Sequence, residues 1–291
     1  MLNIQKIIKK HVLLLTVSIL FLSLTPNAAF SDLTDLKTNS ELAVHFIDVG
    51  EGDCIFIALP SGKNMLIDTG SPSGGPKAVQ YLKSMGIKKI DYLILTHPHD
   101  DHIGGIFSIM SEFEVINFYD NGFGNFKSDI YRDYIKLVRK DLSKYNILQA
   151  GESFLFSNIR IEVLNPLLPP TGNLNNDSIV LRLIYGDIKI LFSGDLGQLG
   201  EHRLLNLGTE LTGQILKAGH HGENNTSSDD FLKSVKPETA IISVSRINKY
   251  ARPHREILSR LGQIGAKIYR TDLSGNIILK TDGKTYTIKT E

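Results

Sequence analysis

Tyr92-Leu93-Ile94-Leu95-Thr96-His97-Pro98-His99-Asp100-Asp101-His102-Ile103-Gly104-Gly105 sets a short apolar run directly before three imidazoles and two carboxylates. An unbroken apolar run bounded by polar residues reads as a strand buried on both faces, which places it in a sheet covered by helices. The donors that follow sit on a loop at that strand's end, where a rigid scaffold lets side chains converge. Histidine nitrogen and aspartate oxygen together suit borderline and hard divalent cations. His97 and His99, two residues apart, can point to one side and share an ion, while Asp101 and His102 are offset toward a second. Gly104-Gly105 then gives the chain room to turn before a helix.

Working outward, strands are expected at 43–49, 54–59 and 64–67, with a helix over 76–85 ended by Gly86. The longest helical candidate is 129–145, which is rich in charge. The second half repeats the theme, with strands at 159–164, 179–185 and 188–192, a helix at 200–207, and a strand leading to Gly219. A helix over 228–235, a strand at 240–244, a helix over 255–264 and two closing strands around a turn at Asp282-Gly283 complete it. Two β-rich halves, each with helices, predict an α/β fold of four layers, an αββα sandwich with the sheets packed face to face.

Of the 291 residues, 42% are hydrophobic and 22% charged, with a formal net charge of +1. No global field therefore points to nucleic acid or acidic lipid. Lys6, Lys9 and Lys10 open an N-terminal segment without acids; the 32 basic residues less these three leave 29 against 31 acidic. That segment continues through an apolar run at 12–24 to the small residues Ala28, Ala29 and Ser31. This is the order of a secretory signal, and the run falls short of the roughly 20 residues that span a bilayer. Residues 1–31 are thus expected to be a cleaved signal segment on a secreted protein, with an uncleaved N-terminal membrane anchor as the alternative. Residues 32–41 read as a linker and 42–291 as the folded domain. Cys54 is the single cysteine, so no internal disulfide forms, and its apolar surroundings mark it as a small buried side chain.

Among nine histidines, His11 lies in the signal, while His45 in a strand and His202 in a charged helix read as bystanders. The remaining six fall in three places, each just beyond a strand. Asp195, in Leu191-Phe192-Ser193-Gly194-Asp195, ends another apolar strand and presents a carboxylate at the same sheet edge. A carboxylate there can bridge two cations about 3.5–4 Å apart, the spacing of two-metal hydrolysis.

At this point the pattern resembles a known family. His97-Pro98-His99-Asp100-Asp101-His102 is similar to the HxHxDH signature of the metallo-β-lactamase superfamily. The flanks Phe46-Ile47-Asp48-Val49-Gly50-Glu51-Gly52-Asp53, Leu66-Ile67-Asp68-Thr69-Gly70, Asn176-Asp177-Ser178, Ser193-Gly194-Asp195 and Gly219-His220-His221-Gly222 narrow it. They resemble the hydrolase domain of ComEC-type competence DNA-uptake proteins and the related teichoic acid phosphorylcholine esterase. The resemblance implies that His97 and His99 hold one metal, Asp101 and His102 a second, and that Asp195 bridges them. His221 is assigned as a further ligand and His220 as a catalytic group, with the reverse pairing left open and Asp177 an alternative ligand. His254 is a candidate proton donor, as is His220, and Asp101 shares in catalysis. Relatives often carry a histidine where Arg252 stands: if that histidine is a ligand, the second metal loses a donor here, and if it is a substrate contact, Arg252 grips a phosphate bidentately, the assignment adopted for Arg252 and Tyr250. Asp68 is expected to orient a ligating histidine, Asp48 and Asp53 to form a turn, and 120–127 to make a substrate loop.

Mixed His and Asp ligands favour zinc, with manganese as the alternative. A phosphodiesterase acting on nucleic acid or a cell-wall phosphodiester is the expected activity. The common zinc β-lactamases carry cysteine at the bridging position taken here by Asp195. Lactamase-type or other ester and amide hydrolysis is the alternative. A flavin-linked diiron oxidoreductase would need a further domain. A non-catalytic exported binding protein would be expected to have lost the ligands that this chain keeps.

Overall fold

The computed structural model describes residues 41–138 and 144–291. The expected signal segment, most of the linker and residues 139–143 lie outside them. Among the described residues the strands form two sheets, of eight and seven strands. In the first, β1 (Leu42–Phe46), β2 (Ile55–Ala58) and β3 (Asn64–Ile67) pair antiparallel. From β3 the sheet continues in parallel through β4 (Lys89–Ile94), β5 (Glu114–Asp120) and β6 (Tyr145–Ile147). In the second, β7 (Ser153–Phe156), β8 (Ile159–Asn165), β9 (Val180–Tyr185) and β10 (Ile188–Phe192) pair antiparallel. Three strands then run parallel to β10: β11 (Ile215–Lys217), β12 (Thr239–Ile242) and β13 (Lys267–Arg270). The last two strands, β14 (Ile277–Thr281) and β15 (Tyr286–Thr290), return to the first sheet beside β1.

The period-2 alternation of strands sorts side chains between layers. Ile55 and Ile57 of β2 enter the core between the sheets, with Leu181, Leu183 and Phe192 from the facing sheet, while Phe56 points to the helices outside. On that outer face α1 (Gly75–Ser84), α3 (Ile106–Glu112) and α4 (Asp129–Val138) bury Leu82, Ile109 and Tyr134. The second sheet is covered by α5 (Gln198–Asn206), α6 (Asp229–Val235) and α7 (Arg255–Gln263) through Leu204, Phe231 and Leu261. This is the four-layer αββα sandwich expected from the sequence. The run before the histidines is buried on both faces: Ile94 joins the intersheet core, Leu93 and Leu95 the helical one.

Two boundaries differ from expectation. Tyr145, read as the end of a helix, begins strand β6, where it pairs with Phe118. β5, β7 and β13, absent from the sequence reading, fill one interior and two edge positions.

What positions the site is strand direction. The loops after β4, β10, β11 and β12 leave the carboxyl ends of parallel strands, the edge at which open α/β sheets gather ligands.

His45 on β1 is a bystander, as expected: its Nδ1 lies 2.9 Å from the Tyr81 hydroxyl. Burial, with Lys280 nearby, holds its pKa down at about 4 against an ordinary 6.5. Between those values the unfolded chain takes up a proton that the folded chain refuses, so stability is lost as pH falls through this window. His45→Gln is expected to flatten the difference by about 2–3 kcal/mol. Urea titrations of both proteins at pH 7 and pH 4.5 check it; parallel profiles would contradict it.

Candidate metal centre

The loop after β4 is pinned to the end of β3. Asp68, in the left-handed region at φ 59, accepts from the Thr96 N–H and hydroxyl, both at 2.7 Å. Its Oδ2 also lies 2.7 Å from His102 Nδ1. The chain then makes a single helical turn, α2 (Asp100–Ile103), which carries Asp101 and His102. Gly104 and Gly105 have ordinary helical backbone, with φ −64 and −78. They are small for a neighbour's sake: a Cβ on Gly105 would fall 2.1 Å from the Thr69 carbonyl oxygen. The room anticipated for a turn is used instead for close backbone packing.

Asp195 follows β10 and is buried, at 1% exposure. Its Oδ2 lies 3.2 Å from His102 Nε2 and 3.6 Å from His97 Nε2. Its Oδ1 lies 3.7 Å from His221 Nε2, which is itself 3.4 Å from Asp101 Oδ2. His97 Nε2 and His99 Nδ1 stand 3.0 Å apart. After β11, Gly219–Gly222 forms a tight turn in which His220 and His221 take consecutive left-handed conformations, φ 47 and 55. That strain, of order 1–3 kcal/mol per residue, splays the two rings to different tasks. His221 is buried inward, whereas His220 reaches the cleft.

The donors resolve into two sets sharing Asp195: His97, His99 and Asp195, and Asp101, His102, Asp195 and His221. The fit to cations rests on the orphaned atoms. Asp195 Oδ1 and Oδ2, His102 Nε2 and His221 Nε2 are buried without a hydrogen-bond partner. An orphaned buried polar atom is costly, and four facing one another imply an occupant. Ligands at 2.0–2.2 Å from a tetrahedral ion lie about 3.3–3.6 Å from each other, and the separations found, from 3.0 Å for His97 and His99 to 4.0 Å for His102 and Asp101, bracket that spacing. The tautomers agree as well: His102 Nδ1 faces Asp68 and His221 Nδ1 donates to the Ser243 carbonyl at 3.0 Å, leaving both Nε2 lone pairs inward. Cys54 is buried, and burial together with Asp68 and Asp53 pushes its thiol up, so it stays protonated.

Charge follows the same logic. Burial opposes ionisation of Asp195, but His102 and His221 hold its carboxyl well below the usual range. Burial likewise works against Asp101, and His102 and His221 again bring it down. His102 is raised well above its ordinary value against its own burial, by Asp195, Asp68 and Asp101. Burial lowers His97 and His99. Protons and cations therefore compete for the same atoms.

Asp68→Asn places an amide where Thr96 and His102 both need an acceptor. It is expected to weaken zinc affinity about 10–100-fold with the fold retained. Competition with a chromophoric chelator measures this; unchanged affinity would contradict it.

The centre floors a cleft of about 490 Å³ lined in part by His99, Asp101, His220, Lys249, Tyr250 and Arg252. Arg252 donates from Nη2 to His220 Nε2 at 2.8 Å and from Nε to Glu223 at 2.8 Å, with its guanidinium carbon 4.4 Å from the Tyr250 ring centre. Burial lowers His220 to about 4. Its Nε2 also lies 3.6 Å from Asp195 Oδ2, so the ring stands between the shared carboxylate and Arg252. The expectation of His254 as a proton donor is corrected. Its Nε2 donates to the Tyr250 carbonyl at 2.9 Å, and its Nδ1 faces Glu223 at 3.2 Å and the Asn224 N–H at 3.3 Å. It braces the loop under Arg252 and faces no metal donor. Asp177 spends both oxygens on the backbone of Thr171 and Gly172, at 2.8 and 3.0 Å, which excludes it as a ligand. Asn125, from the expected substrate loop 120–127, lines the cleft, whereas Lys249 on the cleft wall and buried Lys217, paired with Asp53, had no place in the sequence reading. A lysine inside the apolar run Ile215-Leu216-Lys217-Ala218 was the available signal.

Layered sheets with two His/Asp sets at their shared edge define a class, a fold that generally serves metal-dependent hydrolysis and usually holds two divalent ions. The chain belongs to the metallo-beta-lactamase superfamily, whose family model matches residues 47–246. It is 30% identical over 257 residues to ComE operon protein 3 of Bacillus subtilis, covering 82% of this chain and 33% of that protein. It is 31% identical over 238 residues to competence protein ComA of Neisseria gonorrhoeae, covering 81% and 32%. The chain thus spans about a third of the curated relatives it matches. Among solved structures, the diiron β-hydroxylase CmlA of Streptomyces venezuelae superposes with a TM-score of 0.55 at 13% identity, covering 82% of this chain and 54% of that one. The metallo-beta-lactamase fold protein YhfI of Bacillus subtilis gives 0.52 at 13% identity, covering 82% and 100%. At such identity these likenesses bear on the fold alone.

Proposed function

We propose that the protein is a binuclear metal-dependent phosphodiesterase, with zinc as the metal these ligands favour and manganese as the alternative. The observation that carries this reading is the junction of the two donor sets with a cleft holding the cations Arg252 and Lys249. His97, His99 and Asp195 would hold one ion; Asp101, His102, Asp195 and His221 the other. Two ions so held would supply an acidified water and would offset charge developing on oxygen. Asp101, ionised and reaching the cleft from the second donor set, is placed to accept a hydrogen bond from the attacking water and orient it. Arg252, fixed by Glu223, offers its remaining N–H groups to a phosphoryl oxygen, and Lys249 adds a second positive charge. A donor set of oxygen and nitrogen beside the cations Arg252 and Lys249, in a cleft that Glu51 and Asp100 also line, suits an anionic phosphodiester, from nucleic acid or cell wall, better than a lactam.

Arg252→Lys removes the planar fork. It is expected to lower kcat/KM for a phosphodiester about 10–100-fold, mainly through KM. The deciding screen offers the zinc- or manganese-loaded protein bis(p-nitrophenyl) phosphate, p-nitrophenyl phosphorylcholine, single-stranded DNA and a cephalosporin. Turnover of a phosphodiester supports the reading; turnover of the cephalosporin alone would overturn it. Export also stands as a proposal, supported by the basic start and apolar run of residues 1–31. No helix among the described residues is long and apolar enough to cross a membrane.

A further inference from the structure

Lys217 and Asp53 form an ion pair in which both side chains are shut off from solvent, at 0% and 2% exposure. Fully buried lysines are rare, and an isolated pair of this kind adds little to stability over an apolar substitute. Its place is what distinguishes it. Lys217 ends β11 in the second sheet, and Asp53 lies in the loop between β1 and β2 of the first. The pair therefore ties the two sheets together directly beneath the donor atoms.

Each partner touches something the second cation position needs. Lys217 Nζ lies 3.4 Å from the carbonyl of Gly194, the residue before Asp195. Its own carbonyl accepts from Ser193 Oγ at 2.6 Å. Asp53 Oδ1 lies 3.6 Å from His221 Nδ1, the ring nitrogen that donates to Ser243. Asp53 also groups with Asp68 and His102, ligand-type atoms all within 4.8 Å of one another. Asp53 Oδ1 has no hydrogen-bond partner of its own. A carboxylate free at this spot would compete with Ser243 for the His221 N–H and turn the ring. Held by Lys217, it cannot.

We infer that Lys217 is a positioning residue, a fixed internal cation that restrains Asp53 and the Gly194 carbonyl so that His221 and Asp195 face the second metal position. This rests on the binuclear reading above but concerns metal binding, not turnover. His97 and His99, the other ligands of the first position, are not among the groups the pair touches. The effect of losing Lys217 is accordingly expected to be unequal between the two positions.

The test titrates metal-free full chain with cobalt(II), following visible absorption, and with zinc by calorimetry. For Lys217→Met, the first equivalent is expected to bind within about threefold of wild type and the second about 10–100-fold more weakly, with an altered cobalt spectrum. Should the unpaired Asp53 prevent folding, the double variant Asp53→Asn/Lys217→Met leaves no buried charge unmatched. It is expected to fold and, because the Gly194 carbonyl beside Asp195 still lacks its cation, to keep a weakened second site even though the competing carboxylate is gone. Two equivalents bound as tightly as in wild type, by the single variant or by the double, would overturn the inference and leave the hydrolase reading standing. Equal weakening at both positions would also overturn it. Wild-type protein that binds no metal would overturn both.

Discussion

Asp195→Ala is expected to abolish hydrolysis and to strip the chain of bound metal. Asp195 is the residue common to both donor sets, with one oxygen near His97 and His102 and the other near His221. Without it the first set keeps only His97 and His99, and two imidazoles do not retain a divalent ion against dialysis. The remaining atoms His102 Nε2, His221 Nε2 and Asp101 lose the charge at their centre. Turnover of bis(p-nitrophenyl) phosphate should fall by about a thousandfold or more. Zinc should no longer raise the melting temperature, whereas wild type at a hundred times its dissociation constant gains about 2.7 kcal/mol. A variant that keeps two ions, or that retains a tenth of the activity, would be incompatible with a shared ligand.

Gly52→Ala is the second large effect, and it reaches the site through backbone alone. Gly52 adopts φ +104, and a Cβ there would fall 1.7 Å from the Asp101 carbonyl oxygen. No side-chain rearrangement relieves a clash with a main-chain atom. Either the loop 50–53 or the turn carrying Asp101 and His102 must move, and the second cation position moves with it. Backbone strain of about 1–3 kcal/mol adds to the displacement, so a loss of about 3–4 kcal/mol in stability is expected. Gly62→Ala is the control: φ is +79 there, but nothing lies within 4 Å of the added atom. It should lose only the conformational part, about 1 kcal/mol. Chemical denaturation with and without zinc separates the two; equal losses would contradict the contact.

These two residues also mark what the sequence made legible. Asp195 could be found because a strand ending in Ser-Gly-Asp is a local pattern, and His97 to His102 is another. Strand direction brings such local patterns to one edge, so the sandwich and most of the ligand set could be read from the chain. Gly52 reads in the sequence only as part of a turn, because its contact is made with a residue 49 positions on. Asp53 reads as a turn former for the same reason: its partner Lys217 belongs to the other sheet. His254 was expected at the reaction, yet the cleft is reached by Arg252 and Lys249, and His254 braces the loop beneath. Which of two neighbours in a loop turns inward depends on backbone conformation that residue types alone do not specify. The pair His220 and His221, oriented by two successive left-handed residues, illustrates the same limit.

The claim on which the rest depends is that side chains from separate loops grip two adjacent cations. Zinc K-edge X-ray absorption on the protein loaded with zinc measures this directly. A first shell of nitrogen and oxygen without sulfur, and a zinc–zinc vector of about 3.5–4 Å, is the expected result. A sulfur ligand, or zinc with no second zinc within that distance at full loading, would contradict it.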